Sequence, residues 1–239
     1  MALGARYRIG LILPSANITM EPQFYEIGLR DISFHASRVP LGLTTPEALL
    51  KMTEGLDDAC RLIADVNPDV VAYACTSGTF IKGLDWERSL VKRIEKIVGC
   101  PAITTSSAMV GALTTLGVTS VAVATPYIDS VNREEKKFLE ENGLRVPVIK
   151  GLQIIEAEPL RTTTSETIYE LTAGLNSTEV DGFFISCTNL RSMEVIERLE
   201  EDLGKPVTSS TQATLWAVLR KIHYPDKISG YGRLLRFIS

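Results

Sequence analysis

An α/β fold is predicted: two pseudo-twofold-related domains, each a mainly parallel four-stranded sheet flanked by helices. Three observations predict it. Short apolar runs of strand type alternate with longer amphipathic runs along the whole chain, the pattern of a parallel, doubly wound sheet. The pattern occurs twice in one frame: Cys75 lies 61 residues after Pro14, and Cys187 lies 61 residues after Pro126. Each half also ends in a matching segment, Pro101-Ala-Ile-Thr-Thr-Ser-Ser-Ala and Pro206-Val-Thr-Ser-Ser-Thr-Gln-Ala. The 239 residues suffice for two units of roughly 110 residues each. The expected division is residues 1–112 with a returning 214–239, and residues 113–213.

The elements follow in order. Tyr7 to Pro14 is an apolar strand closed by proline, and Pro22 to Gly28 a modest helix. Ile32 to Val39 alternates and reads as a second strand. Thr44 or Thr45 is placed to cap a helix from Pro46 to Glu54, since proline suits the first helical turn. Leu56, Ala59, Cys60, Ile63 and Ala64 share one face of a helix to Val66, which ends at Asn67-Pro68. Val70 to Cys75 is the next strand. Trp86 to Val98 is amphipathic and stops at Gly99, a left-handed C-cap. Pro101 to Thr105 is a short strand, followed by a helix opened by Ser106 or Ser107.

In the second half, Val118 to Pro126 is a strand and Asp129 to Glu141 a charged, exposed helix. Val146 to Leu152 is a strand, Glu166 to Leu175 a helix, and Gly182 to Cys187 a strand. Ser192 is placed to cap a helix from Met193 to Leu203. Pro206 to Thr211 is a strand and Gln212 to Ile222 a helix. The segment Ile228 to Leu235 is expected to return onto the first domain.

Composition narrows the function classes. Hydrophobic content of 45% and charged content of 23% are ordinary for a globular protein. A net charge of −4 argues against nucleic acid or an anionic membrane as partner. No apolar stretch reaches membrane-spanning length. Arg6 and Arg8 precede too few apolar residues for a signal sequence, so a cytoplasmic location is expected. There the four cysteines would be reduced. Cys60 and Cys100 read as small buried hydrophobes. Four cysteines without a CxxC pair and only two histidines offer no zinc-ligand spacing. No flavin, nicotinamide or phosphate motif is present, so cofactor-free chemistry is expected. Assembly into a homo-oligomer stays open, although helices such as Asp129 to Glu141 make weak dimer faces.

Cys75 and Cys187 stand apart. Each ends an apolar run, each is followed by Thr-Ser-Gly or Thr-Asn, and strand C-termini are where open α/β sheets bind ligands. Turn N–H groups there can hold a small carboxylate and favour thiolate over thiol. Two thiols across one cleft can act as base and acid, or as nucleophile and acid. Asn17, just past the first strand, and Tyr127, just past its symmetry mate, can donate into the same cleft. Asn17 reads equally as a turn or cap residue, and Tyr127 as a packing residue.

These residues carry a family resemblance over nearly the whole chain. Leu13-Pro-Ser-Ala-Asn17-Ile-Thr-Met-Glu21, Ala74-Cys75-Thr-Ser-Gly78, Ala124-Thr-Pro-Tyr127-Ile-Asp-Ser-Val-Asn132 and Ser186-Cys187-Thr resemble the aspartate/glutamate racemase superfamily. Within it they are most similar to the group of maleate cis–trans isomerases and arylmalonate decarboxylases, and closest to the isomerases. The resemblance implies the racemase-like two-domain fold and a cofactor-independent reaction. In it Cys75 attacks an alkene carbon, Cys187 handles the proton on the other, and maleate becomes fumarate. It also implies a substrate grip from Ser15, Asn17, Thr76, Ser77, Tyr127, Thr188 and Asn189. Decarboxylases of the group have glycine in place of the first cysteine. Two asparagines of the isomerases have no counterpart here: the segments read Ser77-Gly-Thr79-Phe80 and Glu156-Ala-Glu-Pro-Leu160-Arg161, where Arg161 is a candidate replacement. The alternatives are a two-cysteine racemase of an amino acid or hydantoin, an arylmalonate-type decarboxylase, and a small-acid binding module.

Overall fold

The structure is a computed structural model that describes residues 6–238. Met1 to Ala5, the start of the N-terminal stretch read above, lie outside the described residues. The strands are β1 Tyr7–Pro14, β2 Ile32–Val39, β3 Val70–Tyr73, β4 Ala102–Thr104, β5 Ser120–Thr125, β6 Arg145–Gly151, β7 Gly182–Ile185 and β8 Val207–Ser209. They form two four-stranded sheets of one design, β2-β1-β3-β4 and β6-β5-β7-β8. Every strand pair within them is parallel. The central strands read Val-Val-Ala-Tyr, Ser-Val-Ala-Val-Ala-Thr and Gly-Phe-Phe-Ile and are buried throughout. Helices cover both faces of such sheets, so their strands are apolar without alternation.

The helices are α1 Met20–Glu26, α2 Pro46–Met52, α3 Leu56–Ala64, α4 Thr76–Phe80, α5 Leu84–Val98, α6 Thr105–Thr115, α7 Asp129–Glu141, α8 Ala157–Thr162, α9 Ser165–Ala173, α10 Ile196–Leu203 and α11 Ser210–Lys221. Thr45 caps α2 and Gly99 ends α5 in the left-handed region, as expected. Other expectations need correction. α6 is capped by Thr104, in a reciprocal box with Ser107. α10 begins at Ile196, and Ser192 Oγ has no hydrogen-bond partner. The residues after Cys75 wind directly into α4, and the Ala157 segment, outside the expected helices, forms α8.

α7 is not simply an exposed helix: it buries Val131, Asn132, Glu135, Phe138 and Leu139. Positions 131, 135 and 138 share one helical face, which puts a carboxylic acid among apolar neighbours.

α6 and α11 pack together between the two halves. Thr105 Oγ1 and Thr214 Oγ1 lie 3.0 Å apart there, and Gly111 faces Trp216. The C-terminal segment touches both halves. Tyr224 Oη donates to Asp31 at 3.2 Å. The stretch Ile228 to Leu235 lies against α10, where Arg233 N–H donates to Glu200 at 2.8 Å, with Tyr231 near enough to Glu26 of α1 to sense its charge. A buried carboxylate needs donors, and Glu200 takes them from Arg233 and from Val207. Among the described residues no helix is long and apolar enough to cross a membrane.

Candidate active site

The C-terminal ends of β1, β3, β5 and β7 open into one small cavity. Cys75 enters it from the first half, Cys187 and Tyr127 from the second, and all three are buried. Neither thiol is in a disulfide.

Cys75 sits in extended backbone (φ −139°, ψ 109°) where β3 gives way to α4. Burial pushes its thiol up to about 11, outweighing the nearby Gly78 N–H and Ser77 hydroxyl, which lower it. The expected bias toward thiolate is therefore overridden by desolvation. Gly78 packs closely here: a Cβ there would stand 2.3 Å from Met52 Cε, the end of a flexible side chain, and 3.1 Å from Cys75 Sγ.

Cys187 is built differently. Its φ of +97° lies in the left-handed region, rare for a residue with a Cβ. The Cys187 N–H donates to Ser210 Oγ at 2.9 Å, and its sulfur accepts the Asn189 N–H at 3.4 Å. Burial pushes this thiol up to about 12; the Asn189 N–H and the Tyr127 hydroxyl pull it down, while the neighbouring Cys75 raises it further. The two sulfurs are thus near enough to sense each other's charge.

Tyr127 is positioned from below. Its N–H donates to Thr125 Oγ1 at 3.1 Å, and its carbonyl accepts from Asn132 Nδ2 at 3.3 Å. A Cβ at Gly151 would stand 2.0 Å from the Tyr127 carbonyl oxygen, so only glycine fits opposite it. The ring meets Phe80 edge-on at 6.5 Å.

The remaining expected residues divide. Thr76, Ser77, Thr188, Asn17 and Asn189 line the cavity with the thiols. Several of their polar groups are already engaged between the halves. Asn17 Nδ2 donates to both the carbonyl and the hydroxyl of Thr188 at 3.1 Å. Its Oδ1 accepts the N–H groups of Thr19 and Met20 where α1 begins. Asn189 Oδ1 accepts the Ile18 N–H at 2.9 Å, and its Nδ2 donates to the Ala16 carbonyl at 3.2 Å. Thr76 Oγ1 donates to Ser210 Oγ at 2.8 Å. Both asparagines act in this geometry as staples between the halves.

Ser15 is outside the cavity: it is exposed, and its hydroxyl accepts the Leu41 N–H at 3.0 Å. Arg161 pairs with Glu158 instead of reaching inward, a cheaper state for a guanidinium than burial. Its segment offers the cavity Ala157 and Leu160, which with Pro14 and Leu41 make an apolar wall. Thr44 N–H donates to the Ile155 carbonyl at 2.9 Å, so loops from both halves meet over this wall. The lining holds no lysine, arginine or histidine. Among the described residues no cluster of His, Cys, Asp or Glu could hold a metal ion.

Ser210, Ser186 and Glu135 escape a reading by motif. Ser210 had a visible signal, its place in the Thr-Ser-Ser segment repeated in both halves. Glu135 had one too, its spacing from Val131 and Phe138.

Two thiols that flank a small cavity, with a phenol beside one and N–H donors beside both, can add to a substrate and move a proton. Proteins of known activity are similar to nearly the whole chain. The family model described as arylmalonate decarboxylase matches residues 9–235. The arylmalonate decarboxylase of Bordetella bronchiseptica is 32% identical, with 95% of each chain covered. The maleate isomerase of Nocardia farcinica is 29% identical, covering 96% of this chain and 95% of its own. A solved Nocardia farcinica maleate cis–trans isomerase, a cysteine-to-serine mutant with a covalently bound succinylcysteine intermediate, superposes with a TM-score of 0.92 at 26% identity, covering 96% of this chain and 98% of that one. The chain is an enzyme of the arylmalonate decarboxylase family, the family that also holds the maleate isomerases.

Proposed function

We propose that the enzyme converts a small cis-unsaturated dicarboxylate of the maleate type to its trans isomer, through a covalent adduct on Cys75 and without a cofactor. The observation that carries this reading is the pair of free thiols, one from each half, lining a single cavity. Cys75 releases its proton to solvent, and the resulting thiolate adds to one alkene carbon and forms a C–S bond. The π electron pair moves to the other carbon, which takes the proton of Cys187. The former double bond is now single and rotates. The Cys187 thiolate then withdraws the proton, the electron pair re-forms the alkene in the trans geometry, and the C–S bond breaks to return the Cys75 thiolate. Nothing is oxidised or reduced. The succinylcysteine of the Nocardia relative supports this order of events. A cytoplasmic setting would keep both thiols reduced.

The test is proton NMR of maleate incubated with the enzyme. Fumarate signals are expected, with none from Cys75→Ala. Failure of the wild-type enzyme to convert maleate or its alkyl-substituted forms would sink the proposal. The apolar wall of Pro14, Leu41, Ala157 and Leu160 favours a second reading, decarboxylation of a substituted malonate with Cys187 as proton donor. Carbon dioxide release from phenylmalonate separates the two.

A further inference from the structure

Behind Cys187 lies a carboxylic acid that the proposed cycle does not use. Glu135 is 0% exposed. It projects from α7, one turn beyond the Asn132 that holds the Tyr127 carbonyl. The hydroxyl of Ser186, the residue before Cys187, is near enough to Glu135 and to Tyr127 to lower the pKa of both, and the Tyr127 hydroxyl does the same for Cys187. Neither Glu135 oxygen nor Ser186 Oγ makes an oriented hydrogen bond. Three buried polar atoms on two side chains, left without settled partners beside a reacting sulfur, are costly.

We propose that Glu135 is a positioning residue for Cys187: as a neutral acid it donates to Ser186, Ser186 donates to Tyr127, and Tyr127 donates to the Cys187 sulfur. The line of O–H donors stabilises the thiolate formed when Cys187 releases its proton to substrate carbon. No proton leaves the line. The inference rests on the reading of Cys187 as the proton-handling thiol.

The surroundings keep the acid neutral at pH 7. Burial pushes Glu135 up to about 8. No cation offsets this. α4 brings no charged residue, β5 and β7 bring none, and the charged residues of β6, Arg145 and Lys150, are exposed. The other titratable groups around the line are Tyr127, Cys187 and Cys75. Above about pH 8 the carboxylate would draw the Ser186 hydroxyl to itself. The line then reverses, and a negative charge stands behind the sulfur.

The experiment uses no substrate, so it separates failure of this inference from failure of the proposed reaction. The full chain carries Cys75→Ser, so that Cys187 is the cavity thiol, with Glu135, E135Q or E135L. Iodoacetamide labelling of Cys187 is followed by mass spectrometry against pH. Glutamine keeps a donor but cannot ionise; leucine keeps neither. At pH 7 the Glu135 and E135Q proteins should label alike, and E135L several-fold more slowly. At pH 9 E135Q should label up to about tenfold faster than the Glu135 protein, the effect of a one-unit change in thiol pKa. Infrared spectra should show a protonated-carboxyl stretch at pH 7 that fades through about pH 8 and is missing from E135Q. Parallel labelling profiles for all three proteins, or a missing carboxyl stretch, would overturn the inference.

Discussion

The two thiol turns occupy equivalent places in two sheets of the same strand order, yet their backbones are not equivalent. Cys75 is in relaxed, extended backbone and passes directly into α4. Cys187 is held at φ +97°, and helix resumes only at Ile196. Left-handed backbone at a residue with a Cβ persists where surrounding contacts over-determine it. Here those contacts are Ser210 and Asn189. Tyr127 flanks only the second sulfur among the hydroxyls that lower a thiol pKa there, while Ser77 serves the first. A repeated frame in sequence has become an unequal pair. The relaxed thiol serves as the nucleophile in the proposed cycle. The strained one, ringed by donors, is fixed as a proton carrier in the proposed cycle.

The largest expected effect tests that inequality directly. Cys75→Ser should lower maleate turnover by at least about 10⁴-fold, as loss of a nucleophile does elsewhere, and should form no adduct. Cys187→Ser should also stall turnover but accumulate a succinyl adduct on Cys75 by mass spectrometry. An adduct on Cys187 in the Cys75→Ser protein would reverse the assignment.

Next is the fully buried acid behind the second thiol. The folded pKa of Glu135 is raised, to about 8 from an ordinary 4.5. Its contribution to stability is therefore fully present below about pH 4.5 and is lost as pH rises through about 8. Relative to the wild type, E135Q should gain roughly 4 kcal/mol between these limits. Denaturant titrations at pH 5 and pH 9 measure it, and an unchanged difference would mean that the acid is ionised throughout.

A smaller effect is expected on the first side. Gly78→Ala would place a methyl against Met52 and the Cys75 sulfur. A fall in turnover of roughly 10- to 100-fold is expected, by analogy with misplacement of a reacting group. Wild-type activity in this variant would mean that the Cys75 sulfur has more freedom than its packing suggests. The smallest effect belongs to the hydroxyl that both turns share. Ser210→Ala leaves the Cys187 N–H and the Thr76 hydroxyl without their acceptor, and should cost about 1–3 kcal/mol in a denaturation experiment.

Much of this was legible in the residues. The limits of β1, β2 and α7 follow from apolar run length and flanking proline or glycine, and the 61-residue frame brought the two thiols to one cavity. Cap geometry was less legible: at α6 and α10 neighbouring Ser and Thr residues compete for one role, and the backbone turn decides among them. The strain at Cys187 left no mark, because no glycine advertises a positive φ there. The engagement of Asn17 and Asn189 was hidden for another reason. Both are asparagines at a strand end, and whether an amide faces a ligand or a neighbouring loop depends on a contact across about 170 residues. Glu135 was readable from its spacing but obscured by the other charges of its helix.

Ser210 Oγ accepts both the Thr76 hydroxyl of one turn and the Cys187 N–H of the other. A single oxygen therefore gauges the width of the gap between the sulfurs. That width belongs to the seam and to neither half alone: a fragment holding one sheet would keep its thiol but lose the ruler, and a screw motion of the halves would have to break these bonds before it could move either sulfur.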